Sequence, residues 1–187
     1  MKKIFFIASI FALFFFISCE NDVNDFDNSS EERVSQVLSL KGDGQRLAYS
    51  TLNSTEKLKV WRTHFQEMKK NNNYSQIQIQ FINEMSNLLK EDYFDKYNHE
   101  LDNILIEIKL KGFKIFKPRQ LFDLIASLDS TMKTDGGGVP PLMGDCTCNT
   151  VNDWCVWTTN CTGTAFCEYD TWGCGDLWRY PCNGVCQ

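Results

Sequence analysis

Eight cysteines, Cys146, Cys148, Cys155, Cys161, Cys167, Cys174, Cys182 and Cys186, fall within the last 42 residues of a 187-residue chain, spaced C-x-C-x6-C-x5-C-x5-C-x6-C-x7-C-x3-C. Clustered thiols serve three chemistries: zinc ligation, thiol–disulfide exchange and structural crosslinking. Structural zinc favours C-x2-C to C-x4-C knuckles, which only Cys182 and Cys186 approach, and the segment has no histidine. Exchange catalysts use C-x-x-C, which is missing here. An even cysteine set in an exported chain therefore reads as a disulfide scaffold. Its connectivity is open among the 105 pairings that eight cysteines allow, with Cys146 and Cys148 too near in sequence to join each other. So short a segment cannot fold securely on buried apolar area alone, and four bridges at ~2–4 kcal/mol each would compensate.

Other reactive side chains are scattered. His64 and His99 are isolated, and there is no HExxH, Gly-rich phosphate loop or nucleophile motif. A lone histidine on a helix is more often structural or solvated than a ligand. Glu91, Asp92 and Asp95 stand at an expected helix start, where the helix dipole favours acids, and they do not form a catalytic carboxylate pair. The expectation is a non-enzyme with no catalytic residue, no cofactor and no metal.

The terminal segment also holds four of the chain's five tryptophans. Trp154, Trp157, Trp172, Trp178 and Tyr180 have two readings: a contact surface for a membrane interface or protein partner, or a shield over the disulfides. Asp145, Asp153, Glu168, Asp170 and Asp176 oppose only Arg179, so a cationic lytic peptide is excluded. Binding to a receptor or envelope component fits better. The net charge of −5 for the whole chain argues against a nucleic-acid partner.

The positioning elements lie upstream. Apolar residues at spacings of three and four predict four or five helices between Glu31 and Met132, packed as a small all-α bundle over 33–132. Leu58, Trp61, Phe65 and Met68 form one stripe, behind an Asn53/Glu56 capping box. Ile77, Phe81, Met85 and Leu88 form another, with Ile82 and Leu89 beside them and Ser75 as cap. Tyr93, Tyr97, Leu101, Ile104, Leu105 and Ile108 form a third, ending at Gly112. Pro118 opens the last helix, which buries Leu121, Phe122, Leu124, Ile125 and Leu128. From Glu31 to Thr134, sixteen basic and fourteen acidic residues are interspersed and advertise no partner. "KTDGGGVPPLMGD" then breaks any helix or central strand, so 133–144 reads as a linker ahead of a cysteine-rich module, 145–187, and as a place where proteases could release it.

At the other end, Lys2 and Lys3 precede an apolar run from Ile4 to Ile17. At fourteen residues it falls short of the ~20 needed to cross a bilayer and has the layout of an export signal, 1–18. Phe16-Ile17-Ser18-Cys19 resembles a lipobox with Phe16 in place of the usual Leu, so Cys19 is the expected lipid anchor to a membrane. Six acids and no base in "ENDVNDFDNSSEE" predict a solvated tether over 19–32. The expected location is outside the cytoplasm, at the outer membrane or cell surface.

"CTCNTVNDWC", "CTGTAFCEYDTWGCG" and "PCNGVC" resemble the fulvocin C-type bacteriocins and the fulvocin C-related proteins of Bacteroidetes-type bacteria. The likeness runs from Cys146 to about Gly184, while Cys182 and Cys186 depart from the bacteriocin's spacing. It implies an antibacterial module acting on related bacteria through their envelope, with the helices as pro-region, delivery scaffold or self-protection element. A surface lipoprotein whose module only binds, without killing, is the alternative.

Overall fold

The computed structural model describes residues 23–71, 73–95, 99–128, 146–156, 160–164, 167 and 172–187, with backbone alone for 23–28, 71, 99 and 172. The signal 1–18, Cys19, the linker 133–144, Tyr97 and Trp157 lie outside the described residues. Six helices precede the cystine module: α1 (Val23–Ser39), α2 (Gly42–Ser50), α3 (Ser54–Asn71), α4 (Gln76–Leu88), α5 (His99–Gly112) and α6 (Pro118–Ile125).

Local signals set several boundaries. The Asn53 side chain accepts from the Glu56 N–H at 2.9 Å and the Glu56 carboxylate accepts from the Asn53 N–H at 2.9 Å, so each side chain satisfies the other residue's otherwise unpaired backbone N–H at the start of α3. Gln78 likewise accepts from the Ser75 N–H at 2.9 Å before α4. Pro118 opens α6, where its missing N–H removes no helical bond. Gly112 closes α5 against its neighbours: a Cβ there would lie 2.6 Å from a Leu121 methyl and 3.1 Å from the Phe81 ring.

α3 is the central helix, packed against α1, α4 and α6. It buries Leu58, Trp61, Phe65 and Met68 as expected. On α4 the buried face is Phe81, Ile82 and Met85, continued by Leu89, whereas Ile77 is 61% exposed. At 100° per residue Ile77 lies within about 40° of Phe81 and Leu88 but roughly 80–140° from Ile82, Met85 and Leu89, so the face that α4 buries is turned away from it and leaves it at the edge. Tyr93 is also displaced from its expected helix; it sits in a short 3-10 turn over Glu91–Tyr93, and α5 begins only at His99. Leu101 and Leu105 of α5 and Leu121, Leu124, Ile125 and Leu128 in and after α6 complete the core.

The tether expected over 19–32 is corrected from Val23 onward, where α1 begins. Val34 and Val37 are buried further along, and Glu31 pairs with Lys59 while Arg33 pairs with Glu56. Anchoring of the later turns makes helix affordable to an acidic start that could not order itself alone.

The module consists of two small antiparallel sheets. β1 (Cys161–Gly163) pairs with β4 (Gly184–Cys186), placing Cys161 opposite Cys186, and β2 (Trp172–Cys174) pairs with β3 (Tyr180–Pro181). All eight cysteines are bridged: Cys146–Cys167, Cys148–Cys161, Cys155–Cys186 and Cys174–Cys182, at Cα separations of 5.5, 5.9, 5.4 and 5.2 Å. The architecture is thus a helical bundle followed by a cystine-rich module. Trp154, Leu177 and Trp178 of the module belong to the same buried apolar cluster as the helices.

Candidate functional site

The shortest bridge, Cys174–Cys182, spans eight residues and closes a loop that reads Gly175-Asp176-Leu177-Trp178-Arg179-Tyr180. Leu177 (φ 56°) and Trp178 (φ 54°) are both left-handed, a conformation that costs non-glycine residues on the order of 1–2 kcal/mol each. Gly175 (φ 70°) starts this reversal, and a Cβ there would meet the Tyr180 ring at 2.5 Å. The turn throws Leu177 and Trp178 to the same side, out of the module and into the bundle.

Trp178 enters between α2, α3 and the end of α6. Its ring stands edge-on to Tyr49 at 5.4 Å and to Trp61 at 6.4 Å, an arrangement that the aromatic quadrupoles favour. The indole N–H donates to the Ala126 carbonyl at 2.9 Å. The Tyr49 hydroxyl accepts from Trp61 at 3.0 Å and donates to the Leu177 carbonyl at 3.2 Å, and complete burial raises its pKa far above the ordinary value. Each polar atom carried inside by these rings therefore has a partner.

Charge fixes the orientation. Arg179 donates to Asp102 of α5 at 2.9 Å and to the Tyr93 carbonyl at 2.9 Å, with the Arg179 and Asp102 side chains only 7% and 12% exposed. The Tyr180 hydroxyl donates to the same Asp102 oxygen at 2.9 Å, and burial, then the Asp102 carboxylate, pushes its pKa up. Arg46 of α2 reaches the Cys146 carbonyl at 3.2 Å.

A second contact is made by Trp154, packed against Phe113 and Phe122 with Lys109 3.8 Å above its ring. Lys109 also donates to the Asp153 carbonyl at 2.9 Å; burial lowers its pKa, opposed by the charges of Asp176 and Asp153. Within the module, buried Asp176 accepts from the Trp154 indole at 2.7 Å and from the Asn152 amide at 2.6 Å, tying the loop to the Trp154 segment. Its pKa is raised by desolvation, with Lys109 the largest opposing influence. Asp153 caps two more backbone groups, the N–H of Cys155 and of Cys161.

The expected aromatic contact surface is therefore corrected in part. Trp154 and Trp178 are 4% and 6% exposed and face the helices: Trp178 finds both ring and N–H partners there, whereas the Trp154 ring packs on Phe113 and Phe122 while its N–H is satisfied within the module by Asp176. Tyr180 is half-buried at the same junction. The side chains of Trp157 and Trp172 lie outside the described residues. The sulfurs of Cys148, Cys155 and Cys186 lie within 4.8 Å of one another, but each is in a disulfide and offers no thiolate to a metal.

His64 is buried in α3, donating through Nε2 to the carbonyls of Asp123 (3.0 Å) and Leu124 (3.2 Å). Because both partners are acceptors, Nε2 carries the proton; burial holds the pKa down to about 4, so the ring is neutral at pH 7. It braces α3 against α6. The side chain of His99 lies outside the described residues.

Sequence reasoning did not single out Tyr49, Asp102, Asp176, Leu177 or Arg179. One signal marks the loop residues Asp176, Leu177 and Arg179 but not Tyr49 or Asp102: the module's single base and a Leu-Trp pair share the loop closed by its two most closely spaced bridged cysteines. No family model, curated protein or solved structure matches the chain.

Proposed function

We propose that this chain is an exported lipoprotein, anchored through Cys19 after removal of residues 1–18, whose disulfide-stabilised module antagonises related bacteria by binding a component of their envelope, without catalysis. The observation that carries the reading is the module itself: four bridges over about forty residues, built to persist outside the cell. Its charge supports binding over lysis, since its one basic residue is committed to Asp102. The resemblance to fulvocin C-type bacteriocins supplies the antagonism. The module then meets its target with faces turned away from the helices, such as the Val151 loop, which is 82% exposed there, and β1.

A second reading, a surface lipoprotein that binds without killing, draws support from the burial of Trp154 and Trp178, which removes two tryptophans from any exposed contact patch. One experiment separates the two. The oxidised full-length mature protein is applied to a panel of close relatives of the producer, with growth and cell binding both measured and a reduced, alkylated sample as control. Growth inhibition lost on reduction supports antagonism; binding without inhibition favours the second reading; neither binding nor inhibition sinks both. The non-reduced intact mass of the chain in washed envelopes and in medium tests the anchor, which requires a lipid adduct at Cys19 on the envelope form.

A further inference from the structure

We infer that the helical bundle is a receptor for the cystine module, recognising the Gly175–Tyr180 loop as a ligand, so that the two parts stay bound when the chain between them is cut. The inference concerns how the chain holds its own module and stands whether or not the module antagonises other cells.

Three observations converge. First, the loop is braced within the module: Cys174–Cys182 closes it, Asp176 is held by Trp154 and Asn152, and two successive left-handed residues set the direction of Leu177 and Trp178. A rigid loop loses little freedom on docking, which is how protein ligands gain affinity from a small contact. Second, the contact has the anatomy of an interface hot spot. A tryptophan fills an aromatic pocket with its N–H satisfied, and an adjacent arginine makes a desolvated pair with a carboxylate. Third, all these contacts join residues 46 to 126 with residues 146 to 180, and none needs continuity of the backbone between them.

Such a bundle would also capture a module from a second copy whose linker had been cut.

The test uses the full mature chain with a site for a specific protease inserted between Gly138 and Val139. The oxidised protein is folded, cleaved and passed over a size-exclusion column without reductant. The expected result is co-elution of both fragments at the intact size. Arg179→Ala should raise the rate at which the cleaved fragments separate by about 100-fold or more, and Tyr180→Phe by roughly 5–10-fold, while Ile77→Ser, at an exposed position of α4, should leave it unchanged. Prompt separation of the cleaved parent, with or without loss of helix, overturns the inference. Equal separation rates for the parent, Arg179→Ala and Tyr180→Phe would overturn the loop as the recognised element.

Discussion

The two parts of this molecule solve the same problem by different means. The helices are held by area: Trp61, Phe65, Phe81, Met85, Leu105 and Leu124 are fully or almost fully buried, and polar groups at helix ends are satisfied locally. The module has little interior of its own and is held by crosslinks, with the side chains of Asp153, Asn149 and Asn152 accepting from backbone N–H groups that its short strands leave over. Among the described residues, its Trp154, Leu177 and Trp178 side chains go to its neighbour. A crosslinked scaffold can therefore present tryptophan and leucine outward from a strained turn, because it does not need them for its own centre, while a bundle can accept them because its core has a gap that they complete.

That contrast can be broken at the point where the two strategies meet. Trp178→Ala removes a ring from the bundle's core, not from the module's, and should lower thermal stability by about 3–5 kcal/mol as read by helical circular dichroism. If the helices melt unchanged, Trp178 is not part of their interior.

Within the module, stabilisation should follow loop length and not burial. Replacing Cys155 and Cys186 together by serine opens the longest loop, 31 residues, and should cost about 3.7 kcal/mol; the same change at Cys174 and Cys182, separated by eight, should cost about 2.5 kcal/mol from chain entropy alone. Denaturant midpoints of the two variants check the order. A larger loss for the Cys174/Cys182 pair would mean that loop preorganisation for docking outweighs chain entropy.

Acid should sort the parts further. His64 is neutral in the folded bundle with a pKa of about 4, against 6.5 when unfolded, so the unfolded chain binds the proton more readily. Its contribution is constant above about pH 6.5 and is lost as pH falls toward about 4, by on the order of 3 kcal/mol. Around His64 stand Trp61, Phe65 and two backbone carbonyls, and no formal charge is among these contacts. His64→Gln should flatten stability across that window in denaturation curves taken at stepped pH. The smallest effect expected is from Asn53→Ala, about 1 kcal/mol, confined to helix stability with the disulfides intact.

What the sequence revealed and what it concealed divide along range. The Asn53/Glu56 box, Pro118 at a helix start and Gly112 at a helix end depend on neighbours a few residues away, and each is found where the chain places it. The Ile77 error came from fitting one stripe to spacings that admit two. The acidic start of α1 was misread because composition records the cost of ordering Asp25 and Asp27 but not Val34 and Val37, whose burial offsets it. The disulfide partners and the Arg179–Asp102 pair, 77 residues apart in sequence, depend on tertiary proximity that no local pattern encodes. Tryptophans in a cysteine-rich segment suggested exposure, since the helices' capacity to receive them was invisible.

Of the paired indoles of Trp61 and Trp178, one belongs to the helices and the other to the module, and their planes cross at 89° with 6.4 Å between centres. Indoles so near couple electronically, and the coupling fades steeply with distance. The protein thus carries a native optical gauge whose near-ultraviolet signal depends on the two halves being seated together, readable in real time without any label.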